Sequence, residues 1–240
     1  MKFLFTDLDG TFLGGTRLDQ ERLIKTLQSA GIGLVYVSGR GHERIFPAID
    51  SKELMRPSAV IGDVGTSLWN GNGETFSRDY EVLMQSHWKD GHRLLRDELK
   101  TFLSEGLNEQ PIFGPYRYSL YYTDATIAER AGQCIERLGF DSLLSDNQYL
   151  DALPKGVNKG FAVQWLMNHW GLTAKQVLVA GDTLNDLAML RLPIPAVVVA
   201  NSEPALKQAL QNHCENPKLM FVREAGAAGI HAALEQLGWI

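Results

Sequence analysis

Short runs of consecutive apolar residues recur along the chain, each closing on polar or glycine-containing turns. Phe3-Leu4-Phe5, Leu34-Val35-Tyr36-Val37, Ala59-Val60-Ile61, Val177-Leu178-Val179-Ala180 and Ala196-Val197-Val198-Val199 predict strands. Their apolarity is continuous rather than alternating, which suits strands covered on both faces in a parallel sheet between helix layers. Between the runs the spacing turns helical. Asp19 to Ala30 carries Leu23, Ile24, Leu27 and Ala30 ahead of Gly31, and Phe161 to Trp170 carries Ala162, Trp165, Leu166 and His169 ahead of Gly171. Leu187 to Leu190 and Glu203 to Leu210 follow the same pattern. Alternating strands and helices predict an α/β fold with a doubly wound, Rossmann-like parallel-sheet core.

The alternation weakens from about Asp79 to Lys155. Within it, Tyr116 to Tyr122 predicts a strand with Arg117, Ser119 and Tyr121 on one face and Tyr118, Leu120 and Tyr122 on the other. Residues 79–157 hold 8 basic and 13 acidic side chains, against 15 of each in the rest. The shift predicts an inserted, smaller α+β domain over 79–156, with 1–78 and 157–240 forming the core.

Composition removes several function classes. With 45% apolar residues in 240 and a net charge of −5, the chain can build a core and has no basic footprint for nucleic acid. No window reaches the length of a membrane-spanning helix or a secretory leader, so no membrane partner and a cytoplasmic location are expected. Cys134 and Cys214 stand in no CxxC pair and read as buried thiols of a reducing compartment. The six histidines lack paired ligand spacing, and Trp165, Met167, Trp170 and Trp239 read as core positions. No Walker or dinucleotide glycine motif follows the first strand.

Four short motifs carry candidate chemistry. Asp7-Leu8-Asp9-Gly10-Thr11 follows the first strand, where residues two apart share a face and open α/β sheets bind ligands. Two close carboxylates repel unless a cation or a shared proton relieves them, and Mg²⁺ suits such oxygens. Gly181-Asp182-Thr183-Leu184-Asn185-Asp186 places a second carboxylate pair after another strand. Taken alone, it also fits a helix N-terminus with acidic residues facing the dipole. Ser38-Gly39-Arg40 supplies a hydroxyl and amides at a strand–helix junction, and Asn158-Lys159-Gly160 supplies a point charge for phosphate ahead of a helix expected from Phe161.

In residue type and order the four motifs resemble the haloacid dehalogenase superfamily of phosphohydrolases: Asp-x-Asp-x-Thr, then Ser/Thr, then Lys, then Gly-Asp-x-x-x-Asp. The match runs over 1 to about 78 and 157 to about 205. The resemblance implies Asp7 as a nucleophile forming an aspartyl-phosphate, Asp9 as general acid and base, and Lys159 as a further catalytic residue. It implies Mg²⁺ on Asp7, Asp9 (through its carbonyl), Asp182 and Asp186, and phosphate on Ser38, Gly39, Lys159 and Asn185. The inserted segment sits where superfamily members carry a large α/β cap.

Gly65-Thr66-Ser67-Leu68-Trp69, His87-Trp88, Tyr116-Arg117-Tyr118-Ser119 and Asp151-Ala152-Leu153-Pro154 resemble the sucrose-phosphatase group within that class. This implies Arg40, Gly65, Thr66, Arg117, Ser119, Asp151 and Asn158 as substrate-binding residues. The expected function is a Mg²⁺-dependent sugar-phosphate phosphatase, with a phosphorylated disaccharide such as sucrose 6-phosphate as substrate and a sugar-phosphate synthase as partner. Ser67 departs from the glutamate usual in that group, which leaves room for mannosylfructose phosphate or a glycosyl-glycerol or glycosyl-glycerate phosphate. A phosphomannomutase-like phosphotransferase and a non-catalytic sugar-phosphate-binding module are the competing readings.

Overall fold

The computed structural model describes residues 1–111, 114–213 and 216–240. Cys214 lies outside the described residues, and Cys134 is half-buried and unpaired. Seven strands form the main sheet: β1 (Phe3–Thr6), β2 (Gly33–Val37), β3 (Ala59–Gly62), β4 (Ser67–Asn70), β9 (Val177–Gly181), β10 (Ala196–Val198) and β11 (Leu219–Phe221). Their order is β11-β10-β9-β1-β2-β3-β4, with only β4 running antiparallel. A second, antiparallel sheet is built from β5 (Asn108–Glu109), β6 (Tyr118–Tyr121), β7 (Phe140–Ser145) and β8 (Tyr149–Pro154), in the order β5-β6-β8-β7.

The continuous apolar runs are explained by two cores, one on each face of the main sheet. Leu4, Leu34, Tyr36, Leu178 and Ala180 face α1 (Arg17–Ala30), α2 (His42–Asp50) and α10 (Gly226–Gln236). Their neighbours Phe5, Val35, Val37, Val177 and Val179 face α7 (Lys159–His169), α8 (Leu187–Leu190) and α9 (Pro204–His213). Helix α1 begins two residues before the expected Asp19, because Thr16 and Asp19 form a reciprocal capping box, and it ends on Gly31 in the left-handed conformation. Trp165 and Trp170 are partly buried on the second core, and Met167 lies within it. Trp239 packs on the first.

The inserted segment has its own core. Tyr118, Leu120 and Tyr122 are buried there as the alternation predicted, with Leu95 of α4 (Gly91–Glu98) and Ala131 and Ile135 of α6 (Ala125–Arg137). Helix α5 (Lys100–Glu105) adds Phe102 and Leu103 at its edge. Helix α3 (Arg78–Trp88) joins the two bodies: Tyr80 and Met84 sit in the main core, while Trp88 sits in the smaller one. Among the described residues no helix is long and apolar enough to cross a membrane.

Candidate active site

Strand register brings the motifs together. Thr6 lies opposite Tyr36 on β2 and Ala180 on β9, so the residues that follow all three strands emerge at one sheet edge. The Asp7 amide donates to the Ala180 carbonyl at 2.9 Å. The chain then turns tightly through residues 8–12, with Gly10 at φ 77. A Cβ on Gly10 would stand 2.1 Å from Asp182 Oδ2, so only glycine lets the two loops touch.

Lys159 is the hub. Its ammonium is fully buried and donates to Asp7 Oδ1 (2.7 Å), Asn185 Oδ1 (2.6 Å) and Asp186 Oδ1 (2.6 Å). Helix α7 starts at Lys159 rather than at Phe161, because the Asn158 side chain caps it by accepting from the Phe161 amide at 3.0 Å. Asp186 Oδ2 accepts the amides of Asp182 (2.9 Å) and Thr183 (3.0 Å). The helix-start reading of this motif and the charged-site reading are therefore both realised in one carboxylate. Thr11 Oγ1 donates to Asp182 Oδ1 at 2.6 Å.

Oxygens of Asp7, Asp182 and Asp186 lie within 4.8 Å of one another. Burial pushes the Asp7 carboxyl well above the usual carboxylate range; Lys159 opposes this, and Asp186 and Asp182 add to it. Burial and the Asp186 charge push Asp182 up to about 7, against the Thr11 hydrogen bond and Lys159. Burial alone would lower the Lys159 ammonium, but Asp186 and Asp7 hold it above its ordinary value. When ionised, the three carboxylates exceed the one ammonium by two negative charges, and burial together with that excess is what raises Asp7 and Asp182. A divalent, oxygen-seeking cation fits that excess.

The cluster lies at the floor of a cleft of about 750 Å³ between the two bodies, lined by Asp7, Asp9, Gly39, Arg40, Asp182 and Asn185 below and by Arg117, Tyr149 and Asp151 above. Arg40 grips Asp9 in a two-pronged pair, Nε to Oδ2 at 2.8 Å and Nη2 to Oδ1 at 2.5 Å. The Asp9 carboxylate thus stands outside the cluster of Asp7, Asp182 and Asp186 and faces the cleft, where the expected acid–base role would need it. Buried Ser38 accepts the Arg40 amide on its hydroxyl at 3.1 Å.

Four expected substrate residues, Gly65, Thr66, Ser119 and Asn158, do not line the cleft. Asn158 is occupied by its cap, the Gly65 carbonyl accepts the Tyr80 hydroxyl, and buried Thr66 donates to the Asp63 carbonyl at 3.0 Å. Ser119 stands behind Asp151, donating to its Oδ1 at 2.5 Å. Ser67 is also turned away, donating to Asp63 Oδ2 at 2.8 Å. His42 lies on Phe46, with ring centroids 4.4 Å apart, and pairs with the Gly73 carbonyl. Sequence reasoning missed Glu43, Arg44, Gln110, Asp146 and Tyr149 on the cleft wall, and it missed Asp63. Only the Asp146-Asn147-Gln148 turn between β7 and β8 left a signal, since Asp and Asn are residues that tolerate the positive φ both adopt there.

A protein of Pseudomonas anguilliseptica named glucosylglycerol-phosphate synthase is 38% identical over 240 residues, covering 99% of this chain and 31% of that protein. The mannosylfructose-phosphate phosphatase of Agrobacterium fabrum is 27% identical over 214 residues, 86% of each chain. The chain spans about a third to a half of the length of the first curated relatives it matches. The sucrose-phosphatase of Synechocystis sp. PCC6803, solved with sucrose and phosphate, shares the fold at a TM-score of 0.86 and 23% identity, covering 99% of this chain and 98% of that one. Residues 1–238 match the sucrose-6F-phosphate phosphohydrolase family. On that match, and with Asp7, Ser38 and Asp182 following three neighbouring parallel strands and Lys159 reaching Asp7 from the start of α7, the chain belongs to this family of the haloacid dehalogenase superfamily.

Proposed function

We propose that the chain is a phosphoric monoester hydrolase that uses Mg²⁺ to release phosphate from a phosphorylated glycoside, with Asp7 as covalent nucleophile. The observation that carries this reading is the buried group of Asp7, Lys159, Asp182 and Asp186 at the floor of a polar cleft. Asp7 and Asp182, with Asp186 behind them, would hold the cation, which supplies neutralisation of phosphoryl charge when bound. An Asp7 oxygen attacks phosphorus, the bond to the leaving oxygen breaks, and Asp9 protonates that oxygen. Asp9 then takes a proton from water, the water oxygen attacks phosphorus, and the Asp7 carboxylate is regenerated. Arg40 occupies both Asp9 oxygens in the geometry above, so proton transfer to the leaving oxygen requires that pair to open. Lys159 has all three donors engaged and acts first on Asp7 and Asp186. To hold a phosphoryl oxygen directly, it must exchange one of these partners.

Residues 79–156 act as the cap, offering Arg117 and Asp151 to leaving-group hydroxyls. A phosphorylated disaccharide such as sucrose 6-phosphate fits this reading. The 38% identity to a protein named for glucosylglycerol phosphate favours a glycosyl-glycerol phosphate, supplied by a synthase. Phosphate release from glucosylglycerol phosphate, sucrose 6-phosphate and mannosylfructose phosphate, with Mg²⁺ and with excess EDTA, tests both levels. Saturable, EDTA-sensitive release with the highest kcat/KM on glucosylglycerol phosphate is expected. No release from any of the three overturns the reading, and undiminished release in EDTA overturns the metal role.

A further inference from the structure

Asp63 belongs to none of the four motifs, yet it joins the two bodies beside the Ser38-Gly39-Arg40 loop. It is 2% exposed and directly follows β3. Asp63 and Val64 have φ of 50 and 59, a left-handed pair that a β-branched residue adopts only when its surroundings impose it. That geometry turns two amides onto the loop: Asp63 N donates to the Arg40 carbonyl and Val64 N to the Ser38 carbonyl, both at 3.1 Å. The Asp63 carboxylate points the other way, to the cap. Its Oδ1 stands 3.6 Å from Arg117 Nη2, and Gly114 abuts it so closely that a Cβ there would come within 2.6 Å of its carboxyl carbon. Arg117 in turn donates through Nη1 to the Gly39 carbonyl at 2.8 Å.

The loop is therefore held from one side by the backbone of 63–64 and from the other by a cap arginine, and Asp63 takes part in both contacts. We propose that Asp63 and Arg117 form a buried strut that fixes the Ser38–Gly41 loop when the cap is closed, so that Asp63 is a positioning residue for phosphoryl transfer. This rests on the hydrolase reading above, but it assigns Arg117 a second task beyond any contact with the leaving group. Ser67, which donates to the other Asp63 oxygen, sets the carboxylate plane.

Asp63→Asn keeps the side-chain shape and removes its charge, and Arg117→Lys keeps the charge and removes the fork that reaches Gly39. Both variants and the double variant are assayed with Mg²⁺ on p-nitrophenyl phosphate, which has no sugar to read, and on the best glycoside phosphate. The strut predicts that kcat falls by a similar factor of about tenfold or more on both esters, since small misplacements of reacting groups carry losses of that order. It also predicts that the double variant is little worse than either single one. Losses confined to the KM of the glycoside phosphate would overturn it, leaving Arg117 as a sugar reader only. Hydrogen–deuterium exchange of the amides at 38–41 is followed in the same proteins. Faster exchange in both variants supports the strut, and exchange equal to wild type overturns it. If the wild-type chain hydrolyses no phosphate ester, the hydrolase reading fails by itself while the exchange measurement still decides the strut.

Discussion

Lys159 sits at the first position of a helix, where the dipole disfavours a cation, and it is completely buried. It is stable there because Asp7 and Asp186 oppose it at 2.7 and 2.6 Å. Removing one partner of such a group is far more damaging than the net worth of the pair, since the remaining charges stay buried. Lys159→Met should therefore lower the unfolding free energy in metal-free buffer by about 3–5 kcal/mol, read from denaturant midpoints. A change under about 1 kcal/mol would mean that the carboxylates are already neutral without the lysine. Asp7→Asn acts in the opposite sense on stability, because burial and two neighbouring carboxylates already disfavour the Asp7 charge. Turnover should fall below detection in a Mg²⁺-replete assay, while the metal-free Tm stays at or above that of wild type. An active Asp7→Asn protein would remove the covalent role.

Elements that bury both faces were legible, because continuous apolar runs admit little else: β1, β2, β3, β9 and β10 stand where those runs predicted them. Elements held by tertiary contacts were not. Helix α2 contains Pro47, which reads as a breaker, yet Ile45, Phe46 and Ile49 bury its apolar face in the first core. Strand β4 is short and carries a polar end that hides its pairing with β3. The four motif loops were legible because each directly follows a strand or begins a helix. The Asp63–Arg117 contact was not, because it depends on how the cap folds back on β3. Asn158 shows the cost of reading function from adjacency: its neighbour Lys159 lies in the site, while its own side chain is a helix cap. Asn158→Ala is expected to lower stability by about 1 kcal/mol, seen as a fall in Tm of about 2–4 °C. KM for the glycoside phosphate should stay unchanged, and a clear rise in KM would return Asn158 to the substrate.

At the scale of the whole molecule, the fold concentrates negative charge where cap and core meet. The cleft carries Asp7, Asp9, Glu43, Asp146, Asp151 and Asp182 on its walls against Arg40, Arg44 and Arg117, and the hub beneath it holds three carboxylates on one ammonium. A carboxyl whose folded pKa is raised contributes stability that is complete below its unfolded value and is lost as pH rises through the folded one. For Asp182 that window runs from the ordinary 3.8 to about 7, and Asp7 shifts in the same direction. Without a divalent cation these two groups therefore destabilise the protein increasingly from weak acid to neutral pH. A cation that binds Asp7 and Asp182 must displace any proton held there, so its apparent affinity rises over the same window. Thermal unfolding with EDTA and with saturating Mg²⁺ isolates this effect, because groups elsewhere cancel in the difference. At about pH 8 and a Mg²⁺ concentration near 100 times Kd, Tm should rise by about 5–10 °C. At about pH 5.5 the rise should be much smaller, and Asp182→Asn should flatten the dependence. An equal Mg²⁺-induced shift at both pH values would place the bound cation away from Asp7 and Asp182, and the proposed metal role of this hub would fall with it.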